Sequence, residues 1–531
     1  MFDLVIRNGT IIDGSGKDGF IGDIAVQDES IVGIGRIEEQ GIIEIDGTGM
    51  IVCPGFIDAH THSDLSLLER PECSEKITQG VTTEILGNCG FSVAPIAKVP
   101  AVQSFRSYSG PVLGYPNREW SWESYSDYLS TVAAAKPAVN FASLIGHGTL
   151  RAVVMGFDNR KPTEQELERM AALLDESMQQ GALGLSTGLV YVPGTYSDED
   201  ELIALARVVV SHGGIYATHL RNQADGLVDS VEETIRVGMQ SGVAIHISHH
   251  KTVGERNQGL VHQTLSLLDE TMEKGIFTSS DMYPYLSGST TMAALLPAWL
   301  LEGGIDRMIE RLSDPQIRKR AANDIELGIE GWENRLEVIG FHNVIVNSFQ
   351  TEANKKFQGL SLKEVAQLRD EAVLECMFNL LIEENGEINV LLKNSTEADL
   401  QEVLRHPRTV VGSDGLFSGD TPHPRLYGTF PRVLHRYAAE LNALSLTEAI
   451  HKMTGLTSEI FHLGKVGFLR SGFRADIVVF DPQEIKDLAT FEHPKVFSSG
   501  IKHVVVGGKL ALQDGSITGV RNGCALIRQS S

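Results

Sequence analysis

Pro54-Gly55-Phe56-Ile57-Asp58-Ala59-His60-Thr61-His62 reads as an apolar strand that ends in two histidines one residue apart. Side chains at i and i+2 of an extended chain point the same way, so two imidazoles share one edge. Seven more strand-like stretches follow, most of them closing on a polar or reactive residue. They are 81–86 before Gly87-Asn88-Cys89-Gly90, 141–145 before Gly146-His147-Gly148, 182–187, 215–219 ending in His219, 243–248 before His249-His250-Lys251, 277–283 ending in Tyr283, and 409–412 before Ser413-Asp414. Helical patterns lie between them. Thr163…Glu166, Ser361…Glu364 and Ser445…Glu448 fit a template in which the first side chain and the acid three residues on satisfy each other's backbone amides at a helix start. Eight strand–helix units predict a (β/α)8, TIM-like barrel, in which side chains at the C-terminal strand ends build the active site.

Outward from the barrel, the two chain ends are rich in short strands. Residues 3–7 and 10–12 flank Asn8-Gly9, a hairpin signal, and 24–27, 31–34 and 42–45 continue the pattern. Residues 475–480, 503–506, 509–512 and 525–527 match it at the other end. The expected division is therefore an N-terminal part of a β domain over 1–54, the barrel over 55–464 and the C-terminal part of the β domain over 465–531. Residues 286–408 exceed what a strand–helix unit needs. They contain helical stretches at 305–321 and 361–384 and strands near 343–347 and 388–392, which predicts a subdomain inserted over the barrel mouth.

The chain has 531 residues, 42% of them apolar and 21% charged, with a formal net charge of −24. Such acidity disfavours nucleic acid and anionic membrane surfaces as partners. The five cysteines, an odd number without a CxxC pair, fit a reducing compartment. Met1-Phe2-Asp3 opens neither a basic nor an apolar leader. The most apolar run, 292–301, is interrupted by Pro297 and is too short to cross a bilayer. A cytoplasmic location is expected.

Two neutral imidazoles on a rigid edge form a pincer for a borderline-soft divalent metal. Cys89, between glycines at a strand end, can approach a metal closely, and a thiolate can bridge two ions; taken alone, its first reading is a small buried hydrophobe. Alternation sets Ile245, Ile247 and His249 on one face of their strand and His246, Ser248 and His250 on the other. His249 is taken as the lumen-facing ligand and His246 as a packed histidine. His147 is a candidate substrate contact. Asp414 follows an apolar strand at the same barrel end and can take a proton from water or ligate metal. A dinucleotide fingerprint, a P-loop and a G-x-S-x-G elbow are absent from the sequence.

The set of ligand-type residues on strands one, two, five, six and eight resembles the metal-dependent amidohydrolase superfamily nearly end to end. Gly87-Asn88-Cys89-Gly90-Phe91-Ser92, Thr218-His219-Leu220-Arg221, Ile247-Ser248-His249-His250-Lys251, Asp281-Met282-Tyr283-Pro284-Tyr285 and His423-Pro424-Arg425-Leu426-Tyr427-Gly428-Thr429-Phe430-Pro431-Arg432 are similar to the N-acyl-D-amino-acid deacylases, or D-aminoacylases. That resemblance implies one tight Zn2+ on Cys89, His219 and His249. It implies a second, weaker site on His60, His62 and Asp414 with Cys89 shared. Asp414 would be the catalytic acid/base, and Lys251, Tyr283 and Arg425 would bind the substrate carboxylate.

Two departures stand out. Strand four has no lysine to bridge two metals as a carbamate, which counts against a cyclic-amide hydrolase of the dihydroorotase or hydantoinase kind. Gln223 stands where many deacylases carry an acid. The segment after Tyr285, which includes Ser289, Met292 and Leu295, has no Lys or Arg as far as Leu301. Ser289 joins the expected substrate-binding set, and the apolar walls predict a preference for apolar D side chains. An N-acyl-D-glutamate or D-aspartate deacylase is the alternative within the family, and a metal-free binding module the alternative outside it.

Overall fold

The computed structural model describes residues 1–96, 100–114 and 120–528. Among these residues the barrel strands are Phe56–Asp58, Val81–Leu86, Asn140–Ser143 continued by Ile145–Gly146, Gly184–Gly188, Ile215–His219, Ala244–Ile247, Thr278–Met282 and Thr409–Val411. Neighbours pair in parallel from one to eight, strand three turning from strand two to strand four at Leu144. The ring closes between strands eight and one through the amide of Ala59 donating to Val411 O (3.2 Å) and the amide of Asp414 donating to His60 O (2.7 Å). These short strands are buried on both faces, as parallel strands covered by helices must be. All three predicted reciprocal caps, at Thr163, Ser361 and Ser445, are present.

A nine-stranded sheet joins the two chain ends. Ile51–Pro54 runs antiparallel to Ile477–Phe480, with Pro54 opposite Ile477, and the next residues enter barrel strand one. The expected hairpin at Asn8-Gly9 does not form. Phe2–Ile11 is one continuous strand whose register against Phe20–Gln27 shifts between Ile6 and Gly9. Asn8 takes the left-handed conformation (φ 56°) and makes the bulge. A Cβ on Gly9 would lie 2.4 Å from Val52 Cγ2, so the glycine serves a close crossing. Asn-Gly supplies the same backbone freedom to a bulge as to a turn.

Within 286–408, Ser287–Thr291, Asn389–Lys393 and Val344–Ser348 form an antiparallel sheet. The two long helices expected here are each broken. One divides into Ile305–Leu312 and Pro315–Leu327, because Asp314 caps a new start and Pro315 cannot donate to the old one. The other divides into Leu362–Arg369 and Val373–Glu383 at Asp370, which is left-handed (φ 53°). No helix among the described residues is long and apolar enough to cross a membrane.

Candidate active site

The C-terminal strand ends bring six sequence-selected residues together. Cys89 Sγ lies 3.3 Å from His60 Nε2, 3.6 Å from His219 Nδ1 and 3.4 Å from His249 Nε2. Asp414 Oδ1 lies 3.2 Å from His62 Nε2 and 3.7 Å from His60 Nε2. Two overlapping trios, His60–His62–Cys89 and Cys89–His219–His249, have ligand atoms within 4.8 Å of one another, with Cys89 at the shared corner. All six side chains are buried.

Cys89, His249 and Asp414 sit just past their strands with left-handed backbones (φ 55°, 34° and 49°). For residues with a Cβ this conformation costs on the order of 1–3 kcal/mol and persists only where the surroundings impose it. Gly87 shows how: a Cβ there would lie 2.1 Å from Leu144 O, so the chain carrying Cys89 crosses strand three at a distance open only to glycine. The turn at His249 also corrects the alternation argument. Ile245 and Ile247 pack outward against Leu227, Val231 and Leu268, while His246 bonds Ser279 and Asp281. His249 reaches the site because its backbone reverses the alternation, not because it shares the face of Ile245.

The electrostatics favour a cation here. Burial pushes the Cys89 thiol up, but His60 and His62 bring it below its ordinary value. Burial likewise opposes ionisation of Asp414, yet Arg425, His62 and His60 hold its carboxyl well below the usual range. Burial leaves His219 and His249 well below the usual imidazole range, hence neutral, as metal ligands must be. His62 Nδ1 is buried with no hydrogen-bond partner among the described residues. One soft thiolate, four imidazoles and a carboxylate are a donor set that fits zinc.

Arg425 is fully buried. Its Nη2 lies 2.9 Å from Asp414 Oδ2, its guanidinium carbon 4.6 Å from the centre of the Tyr283 ring, and its Nε and Nη1 have no hydrogen-bond partner among the described residues. Lys251 Nζ donates to His249 O (3.1 Å) and lies over the same ring at 5.3 Å. Burial, with Arg335 and Arg425 adding to it and Asp414 opposing, pushes Lys251 down to about 7. Ser289 lines the pocket and donates to Asn389 Oδ1 (3.0 Å).

Three expectations are revised. Met292 and Leu295 are buried in the main apolar core, while Phe91, Val112 and Leu392 line the pocket. His147 lies off the pocket wall, paired with Glu201 (2.7 Å). The pocket also contains a cation that residues 286–301 lack: Arg335, from the inserted segment, held by Glu333 and 3.2 Å from His219 Nε2.

Asp281, which the sequence marks only as part of a motif, has one oxygen 3.0 Å from both His60 Nδ1 and His246 Nε2. The other accepts the amide of His249 (2.8 Å). Lys76 was missed altogether. It is buried between Asp58 (2.7 Å), Glu84 (3.0 Å) and Ser413 (3.2 Å), tying strands one, two and eight beneath the site. A charged residue in a strand buried on both faces is a signal for Asp281 that sequence alone offers.

A barrel whose strand ends carry this thiolate–imidazole–carboxylate cluster belongs to the amidohydrolase family, whose model matches residues 44–511. The chain is 36% identical to a D-aminoacylase of Alcaligenes xylosoxydans xylosoxydans, over 100% of this chain and 98% of that protein. It is 35% identical to an N-acyl-D-aspartate deacylase of the same organism, over 97% and 93% respectively. A crystal structure of N-acyl-D-glutamate deacylase from Bordetella bronchiseptica, complexed with zinc and a phosphonate that mimics the tetrahedral intermediate, superposes with a TM-score of 0.84. That match is at 31% identity and covers 99% of this chain and 100% of that one. Within the amidohydrolases the chain thus belongs to the N-acyl-D-amino-acid deacylases, the D-aminoacylase family.

Proposed function

We propose that the protein is a zinc-dependent hydrolase that cleaves N-acyl-D-amino acids to a carboxylate and a free D-amino acid. The observation that supports this is a pocket lined by Cys89, His219, His249, His62 and Asp414, with the fully buried guanidinium of Arg425 behind Asp414, ion-paired to its Oδ2 (2.9 Å) and with Nε and Nη1 lacking a hydrogen-bond partner among the described residues. A buried cation with free donors calls for an anion, and the substrate's α-carboxylate supplies one.

Cys89, His219 and His249 would hold the tight zinc, and His60, His62 and Asp414 with Cys89 a second, weaker one. Bound zinc supplies a water acidic enough to deprotonate near neutral pH and a Lewis acid for the amide carbonyl. Asp414, kept ionised by Arg425 and the two histidines, takes the water's proton and delivers it to the leaving nitrogen. Arg425 grips the carboxylate, Tyr283 stacks beneath it, and Lys251 and Ser289 complete the cradle. A carboxylate fixed on one side and a scissile carbonyl on the other leave one hand of the α-carbon able to point its side chain at the pocket wall.

That wall, Phe91, Val112 and Leu392, supports a preference for apolar D side chains, with the charge of Arg335 matched by Glu333. The second reading, an acidic side chain paired with Arg335, rests on that residue's place in the same pocket. Steady-state kcat/KM for N-acetyl-D-Met, D-Leu and D-Phe against N-acetyl-D-Glu and D-Asp separates them. Faster D-Glu turnover would reject the first and select the second.

A further inference from the structure

Little of its own side chain fixes where Arg425 points. Its anchors are one ion pair, to Asp414, and the face of the Tyr283 ring, while Nε and Nη1 have no hydrogen-bond partner among the described residues. The aim of the guanidinium therefore depends on how the backbone of residue 425 is held. Arg425 opens the helix Arg425–Arg432, so its amide is one of the donors that no carbonyl of the helix can reach. Pro424, just before it, makes no side-chain cap. The imidazole of His423 takes that place: Nδ1 accepts the Arg425 amide at 3.0 Å. Nε2 lies 3.0 Å from the carbonyl oxygen of Ser287. A carbonyl only accepts, so Nε2 carries the proton and Nδ1 the lone pair, and a neutral ring offers one of each. Both are spent on backbone groups. The ring is buried between Tyr285 (centres 5.3 Å apart) and Phe491 (5.0 Å). Burial, with the Arg425 charge adding to it, holds it well below the usual imidazole range. His423 thus ties the start of the Arg425 helix to the strand Ser287–Thr291, whose Gly288, Ser289 and Thr290 line the catalytic pocket.

We propose that His423 is a positioning residue: by accepting the Arg425 amide it aims that guanidinium at the substrate's α-carboxylate. It does not line the pocket itself and acts through Arg425. Misplacing a binding group by about 1 Å can cost about 10²-fold, and a guanidinium with a single ion pair has little else to correct its aim. The inference rests on the carboxylate grip proposed above.

Two polar substitutions separate the two bonds of the ring. His423→Asn keeps an oxygen that accepts the amide two residues on, as Asn does in turns, but is too short to reach Ser287 O. His423→Gln can reach Ser287 O and leaves the Arg425 amide without its acceptor. Steady-state kcat/KM is measured for N-acetyl-D-methionine and for the N-acetyl amine of the same side chain, which lacks the carboxylate. The ratio of acid to amine should fall about 10- to 100-fold in His423→Gln and stay near the wild-type value in His423→Asn. Equal losses on both substrates in His423→Gln, as a merely structural role would give, or a ratio that falls only in His423→Asn, overturns the inference. Should His423→Gln fail to fold, His423→Asn decides alone: a preserved ratio supports the inference and a ratio near unity overturns it. A wild type without preference for the acid overturns the grip itself, and the inference with it.

Discussion

Replacing Arg425 by methionine removes a buried charge while keeping an unbranched, adaptable apolar chain in its space. The native guanidinium has no exposure to solvent, and its ion-pair partner among the described residues is Asp414, 2.9 Å from one nitrogen. A substrate carboxylate entering the variant would be desolvated with no cation to meet it. Leaving a buried charge without its partner costs about 2–5 kcal/mol. At roughly 1.4 kcal/mol per factor of ten, kcat/KM for an N-acetyl-D-amino acid should fall by about 30- to 5,000-fold. The variant also frees Asp414 from the cation that keeps its carboxyl low, which disturbs proton transfer for every substrate. An N-acetyl amine of the same side chain, lacking the carboxylate, separates the two effects, because it uses Asp414 but not the grip. The ratio of the two kcat/KM values should collapse from a large preference for the carboxylate in the wild type to near unity in Arg425→Met. Equal losses for both substrates, or an N-acetyl amine already as good as the acid in the wild type, would show that Arg425 serves Asp414 and not the substrate.

Cys89→Ala and His249→Ala should each abolish turnover and lower bound metal measured by elemental analysis; full activity with full metal in Cys89→Ala would remove the cysteine from the ligand set. Asp414→Asn should keep the tight-site metal and the fold but lose about 10²- to 10⁴-fold in kcat, and retained turnover would place the base elsewhere. Lys76→Met leaves the buried Asp58 and Glu84 carboxylates uncompensated, so urea unfolding should report a loss of about 3–5 kcal/mol; a variant as stable as the wild type would mean that the ion cluster carries no net stability.

The barrel was legible because its strands, buried on both faces, carry few charges, and most of them close on a polar or reactive residue. Period two made the His60–His62 pair readable, and the flanking glycines gave Cys89 its context. Alternation failed at His249 because a single left-handed residue reverses the face, and no side-chain pattern announces that at a histidine. Asn8-Gly9 misled for a related reason: the dipeptide reports backbone freedom, and only the partner strand decides between turn and bulge. Arg335 was illegible because its place depends on how a long insert folds back over the mouth, and its own neighbourhood, Trp332-Glu333-Asn334-Arg335, carries no motif. Broken helices in the same insert show the limit again, since periodicity persists across a break that one proline or one left-handed Asp imposes.

The central claim is that this cluster, loaded with zinc, hydrolyses the D and not the L form of an N-acyl amino acid. Stripping the protein of metal and titrating zinc back while following cleavage of N-acetyl-D-methionine and N-acetyl-L-methionine tests it most directly. Activity on the D substrate should be absent without metal, rise with the first equivalent of zinc and greatly exceed that on the L substrate throughout. Turnover by the metal-free protein, or equal rates on the two hands, would contradict the account.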